Sequence, residues 1–216
     1  MSALMKTEAI KTRTGTAVRE RGAARVDEII QTTKKILVDD GLANLSTRKV
    51  ARELGISIGN LHYYFSTKND LLEAVIEDVI RSYDEEFERE AGLFPDSPRQ
   101  RIEAFVRYLI ADAKKTEVRA FFYQLWGMSV QNDFAADLRD KAYDRFTNMM
   151  LEMLVPLHPE KSSRELKLLA LGVNTAIEGL HVTFGLGKEM LEQYPEMEEL
   201  LFQQIMRNID SGFYET

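Results

Sequence analysis

The chain has 216 residues, of which 44% are hydrophobic and 29% charged, a balance that excludes an intrinsically disordered protein. It has no cysteine, which excludes disulfides, thiolate catalysis and Cys-ligated metals. The formal net charge of −7, taken as a whole, argues against a nucleic-acid partner, an inference that depends on where the charges lie.

The first residues, Met1-Ser2-Ala3-Leu4-Met5-Lys6, are followed by polar residues and lack the apolar core of a signal peptide. No run of 18 apolar residues occurs that would cross a membrane. We therefore expect a cytoplasmic protein without a membrane partner.

The predicted elements are helices throughout. Apolar residues recur at spacings of three and four, and no stretch alternates apolar and polar residues as a half-buried strand does. This pattern predicts an all-α fold. The chain has five prolines, which we expect to mark breaks between helices, at positions 95, 98, 156, 159 and 195.

Residues 1–24 show no apolar periodicity and contain five basic residues against two acidic ones, so we predict a flexible basic arm. A first helix is predicted over 25–40, ended by Gly41, with one face buried. The residues of that face are Val26, Ile29, Ile30, Thr33, Ile36 and Leu37.

Two short helices follow, each preceded by a serine at the position that caps a helix N-terminus. Ser46 opens a helix that ends at Gly55, and Ser57 opens a helix that runs to about Phe65. A long helix is predicted from Lys68 to about residue 90. Five more are predicted, over about 98–115, 117–130, 132–155, 163–186 and 196–210.

The two short helices have the features of a helix-turn-helix. Ala51 is small enough to let the second helix approach the first, and Gly55 supplies the turn. Ile56 and Leu61 are placed to hold the second helix against the first. Such a pair forms the DNA-binding motif whose second helix enters the major groove. A corner inside a helical bundle has the same local pattern, so these residues alone leave both alternatives open.

The residues in and around this motif resemble the tetracycline-repressor (TetR) family of bacterial transcriptional regulators. The resemblance covers about residues 25–75, and the length and helical layout of the whole chain agree with it. It lies in Leu45-Ser46-Thr47-Arg48, Val50-Ala51, Leu54-Gly55-Ile56-Ser57, Asn60-Leu61-His62-Tyr63-Tyr64-Phe65 and Thr67-Lys68-Asn69-Asp70-Leu71-Leu72.

The resemblance implies a homodimer whose subunits each have two domains. A three-helix DNA-binding domain is expected over residues 25–70, and a helical ligand-binding and dimerisation domain over residues 71–216. In this family a small molecule bound in the second domain usually releases the DNA. We therefore expect a dimeric repressor that leaves a palindromic double-stranded operator when a small-molecule effector binds.

Carried onto this sequence, the resemblance implies two groups of DNA contacts. Thr47, Tyr63 and Lys68 are expected to contact phosphates, and at Lys68 the helix N-terminus also favours an anion. This chain has His62 where the family commonly has an aromatic residue, and His62 can still donate a hydrogen bond. The residues expected to face base edges are Arg48, Ser57, Ile58, Gly59 and Asn60.

The charges are divided unevenly along the chain. Residues 1–70 contain twelve Lys or Arg and eight Asp or Glu, a net charge of +4, whereas the other 146 residues carry −11. The positive part is therefore the part predicted to meet phosphate. Arg13, Arg19 and Arg21 of the arm either enter a minor groove or remain solvated.

The helices predicted over 117–130 and 132–155 are rich in aromatic residues and methionines. Most such residues form a core, but the same lining suits an adaptable apolar pocket. The candidate ligand contacts on these helices are Phe122, Trp126, Met150 and Met153.

Three polar residues interrupt the helix predicted over 163–186. Asn174, Glu178 and His181 lie at i, i+4 and i+7, and buried polar groups need partners. They either pair with each other, contact a polar group of a ligand or face water, and an ionised, buried Glu178 suits a cationic ligand. Trp126-Gly127 and Glu178-Gly179-Leu180 resemble the choline-responsive branch of the family, but the sequence assigns no effector.

The last two predicted helices are expected, from the resemblance, to form a four-helix bundle with their symmetry mates. A dimer also places two recognition helices in major grooves roughly 34–36 Å apart. The alternative for each expected contact is an intramolecular core. The expected dimer contacts are Leu169, Val173, Leu180, Leu201 and Ile205.

An enzyme would need a catalytic constellation, and the sequence offers none. Its three histidines are scattered, and it lacks His-Glu-x-x-His, a Gly-rich phosphate loop and Gly-x-Ser-x-Gly. Glu178 with His181 is the only acid–base candidate, so we expect no catalysis, metal or cofactor. The remaining alternative is a helical ligand carrier whose helix-turn-helix does not bind DNA.

Overall fold

The computed structural model describes residues 20–185, 194 and 196–212, and over these residues it confirms the all-α prediction. The described α-helices are α1 (Glu20–Asp40), α2 (Thr47–Glu53), α3 (Ile58–Tyr64), α4 (Lys68–Gly92), α5 (Pro98–Ala113), α6 (Thr116–Ser129), α7 (Asp133–Leu157), α8 (Ser163–Gly185) and α9 (Met197–Ser211), and a short 3-10 helix (Leu42–Asn44) lies between α1 and α2. None of them is long and apolar enough to cross a membrane.

Contacts within the chain divide it into two compact units, one ending at Val79 and the other beginning at Ile80. We call them the N-terminal unit and the C-terminal unit. The division falls inside α4, so no loop separates the two units. The boundary expected from the sequence, after residue 70, lies in the first turn of the same helix.

Helix α1 begins at Glu20, five residues before its predicted start. The prediction of a flexible arm was therefore wrong for residues 20–24. Apolar periodicity marks only the buried part of a helix, and Ala23 and Ala24 extend it through their high helix propensity. All six residues of the predicted inner face are buried, and the helix ends before Gly41 (φ 78°). The arm residues outside the described part of the chain are Lys6, Lys11, Arg13 and Arg19.

Helices α2 and α3 are capped as the sequence predicts. The Ser46 hydroxyl accepts a hydrogen bond from the Lys49 N–H at 3.2 Å. The Ser57 hydroxyl accepts one from the Asn60 N–H at 3.1 Å. Each cap satisfies an N–H group that the start of a helix leaves unpaired, a contribution of about 1 kcal/mol.

The turn between α2 and α3 depends on Gly55, which has φ +64°, a left-handed conformation that favours glycine. Ala51 and Leu61 are 3% and 0% exposed, so a small residue on α2 lies where α3 closes on it. Phe65, just after α3, is also buried, whereas Tyr64 is half-buried. These contacts fix the orientation of α3 within the N-terminal unit.

The start of α4 carries a reciprocal cap. The Asp70 carboxylate accepts hydrogen bonds from the N–H groups of Ser66 (2.9 Å) and Thr67 (3.0 Å). The Thr67 hydroxyl accepts one from the Asp70 N–H at 3.1 Å. Such a capping arrangement defines where α4 begins.

In the C-terminal unit, α5, α7 and α8 pack against one another, α6 packs on all three, and α9 packs on α5 and α8. Ser97 caps α5 through the Gln100 N–H (3.3 Å), directly before Pro98. Pro156 lies inside the last turn of α7, which ends at Leu157, so the chain breaks between Pro156 and Pro159. The proline cannot donate a backbone hydrogen bond and its ring crowds the carbonyl four residues earlier, and the helix ends one residue later, at Leu157.

Four of the five expected dimer contacts lie instead in the core of the C-terminal unit. Leu169, Val173, Leu180 and Ile205 are 1–3% exposed in the single chain, so their prediction as dimer contacts was wrong. Apolar periodicity shows that a helix face is buried but not whether the chain itself or a partner covers it. Leu201 is half-buried against this core.

Candidate functional site

The surface expected to meet DNA lies on α2, α3 and the first turn of α4. Thr47, His62 and Lys68 are half-buried. The other six predicted residues are exposed: Arg48, Ser57, Ile58, Gly59, Asn60 and Tyr63. The structure thus brings all nine into the N-terminal unit, and six of them are open to an external partner.

Helix α3 presents Tyr63 and His62 at its C-terminal half. The Tyr63 ring lies edge-on to the Tyr64 ring, with 5.0 Å between centroids, and is 56% exposed. Its hydroxyl makes no hydrogen bond with any described residue, which leaves it available to an acceptor such as a phosphate. The His62 Nε2 lies 3.5 Å from the Thr47 hydroxyl and links α3 to α2.

Lys68 is held more tightly than the sequence suggested. Its Nζ donates a hydrogen bond to the Leu42 carbonyl at 2.7 Å, and burial lowers the pKa of its amine. The expected help from the helix N-terminus is reduced, because the Asp70 carboxylate already accepts from two N–H groups there. Lys68 can still donate to a phosphate with its other two hydrogens.

The cations of α2 differ in how they are paired. Lys49 forms an ion pair with Asp40 (2.8 Å), and Arg52 forms one with Glu53 (3.3 Å). Arg48 forms no ion pair with any residue in the described part of the chain. Because α3 itself has no Lys, Arg, Asp or Glu, Arg48 is the cation of the helix-turn-helix best placed for an external anion or a base.

A second candidate site lies where α6, α7 and α8 meet. We call it the aromatic–carboxyl cluster, and it consists of Phe122, Trp126, Tyr143, Glu178 and His181. The centroid of the Phe122 ring is 5.9 Å from that of Trp126 and 4.6 Å from that of His181. The Trp126 indole N–H donates a hydrogen bond to the Tyr143 hydroxyl at 2.6 Å. Residues from three helices therefore form one wall of aromatic rings.

Two polar atoms of this cluster are buried without a hydrogen-bond partner among the described residues, Glu178 Oε2 and His181 Nδ1. Burial raises the pKa of the Glu178 carboxyl to about 7, and the Tyr143 hydroxyl, which favours the ionised form, offsets this only in part. Burial lowers the pKa of His181 to about 4, so its ring is neutral at pH 7. The cluster thus holds a carboxyl that becomes negative near neutrality beside aromatic rings, which suits an organic cation.

A second buried carboxyl, Asp112, lies on α5 and was not predicted. It accepts a hydrogen bond from the Tyr83 hydroxyl (2.6 Å) and forms an ion pair with Lys115 (2.8 Å). Burial and the charge of Asp112 raise the pKa of Tyr83 well above its usual value. The Tyr83 ring lies 6.4 Å from that of Phe122, so this pair extends the aromatic wall. The signal was present, since Asp112, like Glu178, interrupts an apolar stretch.

The remaining predicted ligand residues, Met150, Met153 and Asn174, do not belong to the aromatic–carboxyl cluster. Met150 and Met153 are fully buried in the core of the C-terminal unit, and their contact with a ligand stays a prediction. Asn174 is half-buried one turn before Glu178. No hydrogen bond joins Asn174, Glu178 and His181 to one another in the described part of the chain, and the Glu178 carboxyl interacts instead with the Tyr143 hydroxyl of α7.

Helix α8 also carries an exposed apolar face on the side away from the core. It comprises Leu168 (43% exposed), Leu171 (41%), Thr175, Gly179 and Val182 (54%), which recur at spacings of three and four. We call this row the α8 outer face. Exposed apolar rows of this kind mark protein interaction surfaces more often than isolated exposed residues do.

A helix-turn-helix with exposed recognition residues, on an all-α chain, defines a DNA-binding regulator, and two family profiles agree. Residues 29–75 match "Bacterial regulatory proteins, tetR family", and residues 98–209 match "BetI-type transcriptional repressor, C-terminal". The chain belongs to the TetR family of transcriptional regulators and has a BetI-type C-terminal domain. It is a member of a family of regulators, not of enzymes.

Curated relatives from bacteria are named as regulators of the BetI type. The HTH-type transcriptional regulator BetI of Stenotrophomonas maltophilia is 25% identical over 158 residues, 72% of this chain and 79% of that protein. BetI of Pseudomonas aeruginosa is 34% identical over 83 residues, 38% of this chain and 42% of that protein.

Solved structures share the fold. A transcriptional regulator from Pseudomonas aeruginosa PAO1 has a TM-score of 0.73 at 19% identity, covering 88% of this chain and 94% of its own. A regulator from Saccharomonospora viridis, solved in complex with choline, has a TM-score of 0.67 at 19% identity, covering 87% and 96%. At these identities the likeness concerns the fold alone.

Proposed function

We propose that this regulator is a dimeric repressor that binds a palindromic operator through α2, α3 and Lys68, and that a small organic cation releases it. The observation that carries the proposal is the Glu178 carboxyl, buried with Oε2 unpaired beside Tyr143 and the Trp126 indole. Such a regulator acts in the cytoplasm, where its operator lies.

The operator contacts are proposed from exposure and charge. Tyr63, Thr47, His62 and Lys68 supply donors to phosphates, and Arg48 supplies a cation that no described residue pairs. The contacts to base edges come from the exposed N-terminal part of α3, since the first residues of a recognition helix reach furthest into the major groove. The residues of that part are Ser57, Ile58, Gly59 and Asn60.

The cation is proposed from the chemistry of the aromatic–carboxyl cluster. A carboxyl held in an apolar site is ionised more readily when a positive charge enters, and aromatic ring faces attract quaternary ammonium groups. The choline bound to the S. viridis regulator, which shares this fold, supports a ligand of this class. Choline is therefore the first ligand to test.

The dimer is proposed to form through the α8 outer face and not through the residues predicted from the sequence. Leu168, Leu171 and Val182 are exposed in the single chain, and Leu200 on α9 is 56% exposed. Two copies of an apolar helix face related by a two-fold axis can cover each other, which is the usual geometry of a homodimer.

The operator and its release are tested by gel shift with the full-length protein and the DNA upstream of its own gene. We expect a shifted band at low salt that choline abolishes. A DNA of the same length and base composition, with its sequence scrambled, serves as the control. No specific band would overturn the repressor and favour the ligand carrier. A specific band that no small cation changes would overturn the release.

Effector binding is tested through the intrinsic fluorescence of Trp126, the only tryptophan in the chain. Choline is expected to change this fluorescence in a saturable way. Its uncharged isostere 3,3-dimethylbutan-1-ol, which has carbon in place of the ammonium nitrogen, is expected to bind at least ten-fold more weakly. Equal binding of the two compounds would show that the site does not select for positive charge.

The dimer is tested by sedimentation of Leu171→Glu and Val182→Glu, which place a charge on the α8 outer face. Both variants are expected to sediment as monomers, because burying an unpaired carboxylate against its symmetry mate is unfavourable. Val155→Glu, at an α7 residue that is 50% exposed, is the matched control and is expected to remain dimeric. A dimer that survives both α8 changes would place the interface elsewhere.

A further inference from the structure

We propose that Ile58 and Gly59 together recognise an apolar group of the operator. The Ile58 side chain contacts the C5 methyl group of a thymine, and Gly59 lets α3 approach the base edge closely enough for this contact. This inference deepens the proposed function and rests on it. It names the chemical group that part of α3 recognises.

The surface of α3 is unusual in what it exposes. In the described part of the N-terminal unit, Ile58 (39% exposed) and Tyr63 (56% exposed) are the large hydrophobic residues that are exposed, and both lie on α3. The other large apolar side chains of that unit are buried or half-buried. An apolar side chain thus stands at the first position of α3, where the helix reaches the base edges.

Gly59 has no explanation inside the protein. Its backbone is not in the left-handed region, and a Cβ at this position would meet only the Ser57 hydroxyl, at 4.0 Å. Glycine in a helix costs stability relative to alanine, and α3 has only seven residues. Gly59 lies next to the exposed Ile58 at the start of α3, and there the absent side chain leaves room for the edge of a base to come close.

The chemistry of the major groove offers one apolar group on the base edges. A·T pairs present the thymine C5 methyl there, whereas the other edge groups are hydrogen-bond donors and acceptors. Ile58 cannot donate or accept a hydrogen bond through its side chain, so the thymine methyl is the group that it recognises. Because α3 has no Lys, Arg, Asp or Glu, this contact is not in competition with a charged side chain of the same helix.

The test begins with an operator selected from a random duplex library by the full-length protein at fixed salt. Each thymine is then replaced in turn by deoxyuridine, which removes the methyl group and leaves the hydrogen-bonding edge unchanged. At one position in each half-site we expect affinity to fall about four-fold, the value of one methyl group removed from water.

The Ile58→Ala variant assigns the contact. It is expected to bind the thymine operator about as weakly as the wild type binds an operator with deoxyuridine at that position of both half-sites, and to show no further loss when those thymines are replaced. Its melting temperature reports that the fold is kept, since Ile58 is not a core residue. A wild type with no deoxyuridine-sensitive position, or an Ile58→Ala variant that stays equally sensitive, would overturn the inference alone. Failure to select any operator would overturn the proposed function and this inference together.

The Gly59→Ala variant separates recognition from folding. It is expected to raise the melting temperature, because alanine favours a helix, and yet to weaken operator binding at least ten-fold. Gly127→Ala is the matched control, an exposed glycine of α6 whose added Cβ would meet nothing within 4 Å. It is expected to raise the melting temperature without changing operator affinity. Wild-type operator affinity in Gly59→Ala would contradict the close approach.

Discussion

The N-terminal unit exposes most residues of its candidate site, whereas the C-terminal unit half-buries or buries the polar residues of its own. Arg48, Asn60 and Tyr63 are open to solvent on α2 and α3. On α8, Glu178 and His181 each keep a buried polar atom without a hydrogen-bond partner among the described residues. An unpaired buried polar group costs about 1–3 kcal/mol, which a ligand can recover. The first arrangement fits recognition of a large surface, and the second fits enclosure of a small molecule.

The largest effect is expected from a large-to-small substitution in the core of one unit only. Leu61→Ala removes a side chain that is 0% exposed and holds α3 in place, at a cost of about 2–5 kcal/mol. We expect operator binding to be lost and the choline response of Trp126 fluorescence to remain. Met150→Ala, in the core of the C-terminal unit, is the counterpart and is expected to lower the stability of that unit. Loss of the choline response in Leu61→Ala would show that the units do not fold separately.

The next effect concerns the buried carboxyl of the C-terminal unit. With a folded pKa of about 7 and an unfolded one near 4.5, Glu178 keeps its proton longer in the folded chain, so its contribution lowers stability as pH rises between these values. Above pH 7 the raised pKa of Glu178 lowers the free energy of unfolding by about 3 kcal/mol. His181, with its pKa lowered to about 4, acts in the opposite direction between about pH 4 and 6.5 and masks part of this slope.

Glu178→Gln removes the contribution of Glu178 to the free energy of unfolding, which falls as pH rises, and keeps the contribution of His181. Relative to the wild type, the variant is therefore expected to gain stability as pH rises from 4.5 to 7.5, measured by urea unfolding at one protein concentration. Glu152→Gln, at an exposed carboxyl of α7, is the control and is expected to show no such gain. A difference between Glu178→Gln and wild type that does not vary with pH would contradict the raised pKa. Choline affinity of the wild type is expected to rise about ten-fold from pH 6 to pH 8, as Glu178 ionises.

A smaller effect is expected at the exposed surface of the N-terminal unit. Tyr63→Ala and Arg48→Ala are each expected to weaken operator binding about ten-fold per half-site, and Arg48→Ala also to change the salt dependence if it contacts a phosphate. Choline binding should be unchanged in both. Tyr194→Ala, at a tyrosine of the C-terminal unit that is 52% exposed, is the control. Equal effects of Tyr63→Ala and Tyr194→Ala on the operator would remove the distinction between the two surfaces.

The smallest effect compares the same cap in both units. Ser46→Ala and Ser97→Ala each remove a hydroxyl that accepts a hydrogen bond from a helix N–H, at a cost of about 1 kcal/mol. Only Ser46→Ala is expected to weaken operator binding, since α2 belongs to the helix-turn-helix. Thermal melting and gel shift measure the two properties. A weaker operator complex in Ser97→Ala would mean that stability alone limits DNA binding.

The sequence predicts the N-terminal unit well because its signals are local. Ser46, Gly55 and Ser57 each act within a few residues of their own position, and the helix-turn-helix has a distinctive arrangement of such residues. The residues of its exposed surface follow directly from these boundaries. Only the start of α1 was misplaced, because helix propensity carries it beyond its buried face.

The C-terminal site depends on contacts between helices, which a single sequence does not specify. The hydrogen bond from Trp126 to Tyr143 joins residues that are 17 positions apart in the chain, and the hydrogen bond from Tyr83 to Asp112 joins residues that are 29 positions apart. Glu178 was recognised as a polar residue in an apolar helix, but its neighbour Tyr143 was not identified as part of the site. The same limit explains why Leu169 and Leu180 were assigned to a partner and not to the chain's own core.

The position of the unit boundary inside α4 has a practical consequence. Proteases cleave exposed, locally unfolded segments, and the 25-residue helix places Val79 and Ile80 in continuous helical structure. Limited digestion is therefore not a route to a free DNA-binding fragment. A fragment cut after residue 70 would also lose six buried apolar side chains of the N-terminal unit, Leu71, Leu72, Ala74, Val75, Ile76 and Val79. An isolated DNA-binding fragment has to extend at least to Val79.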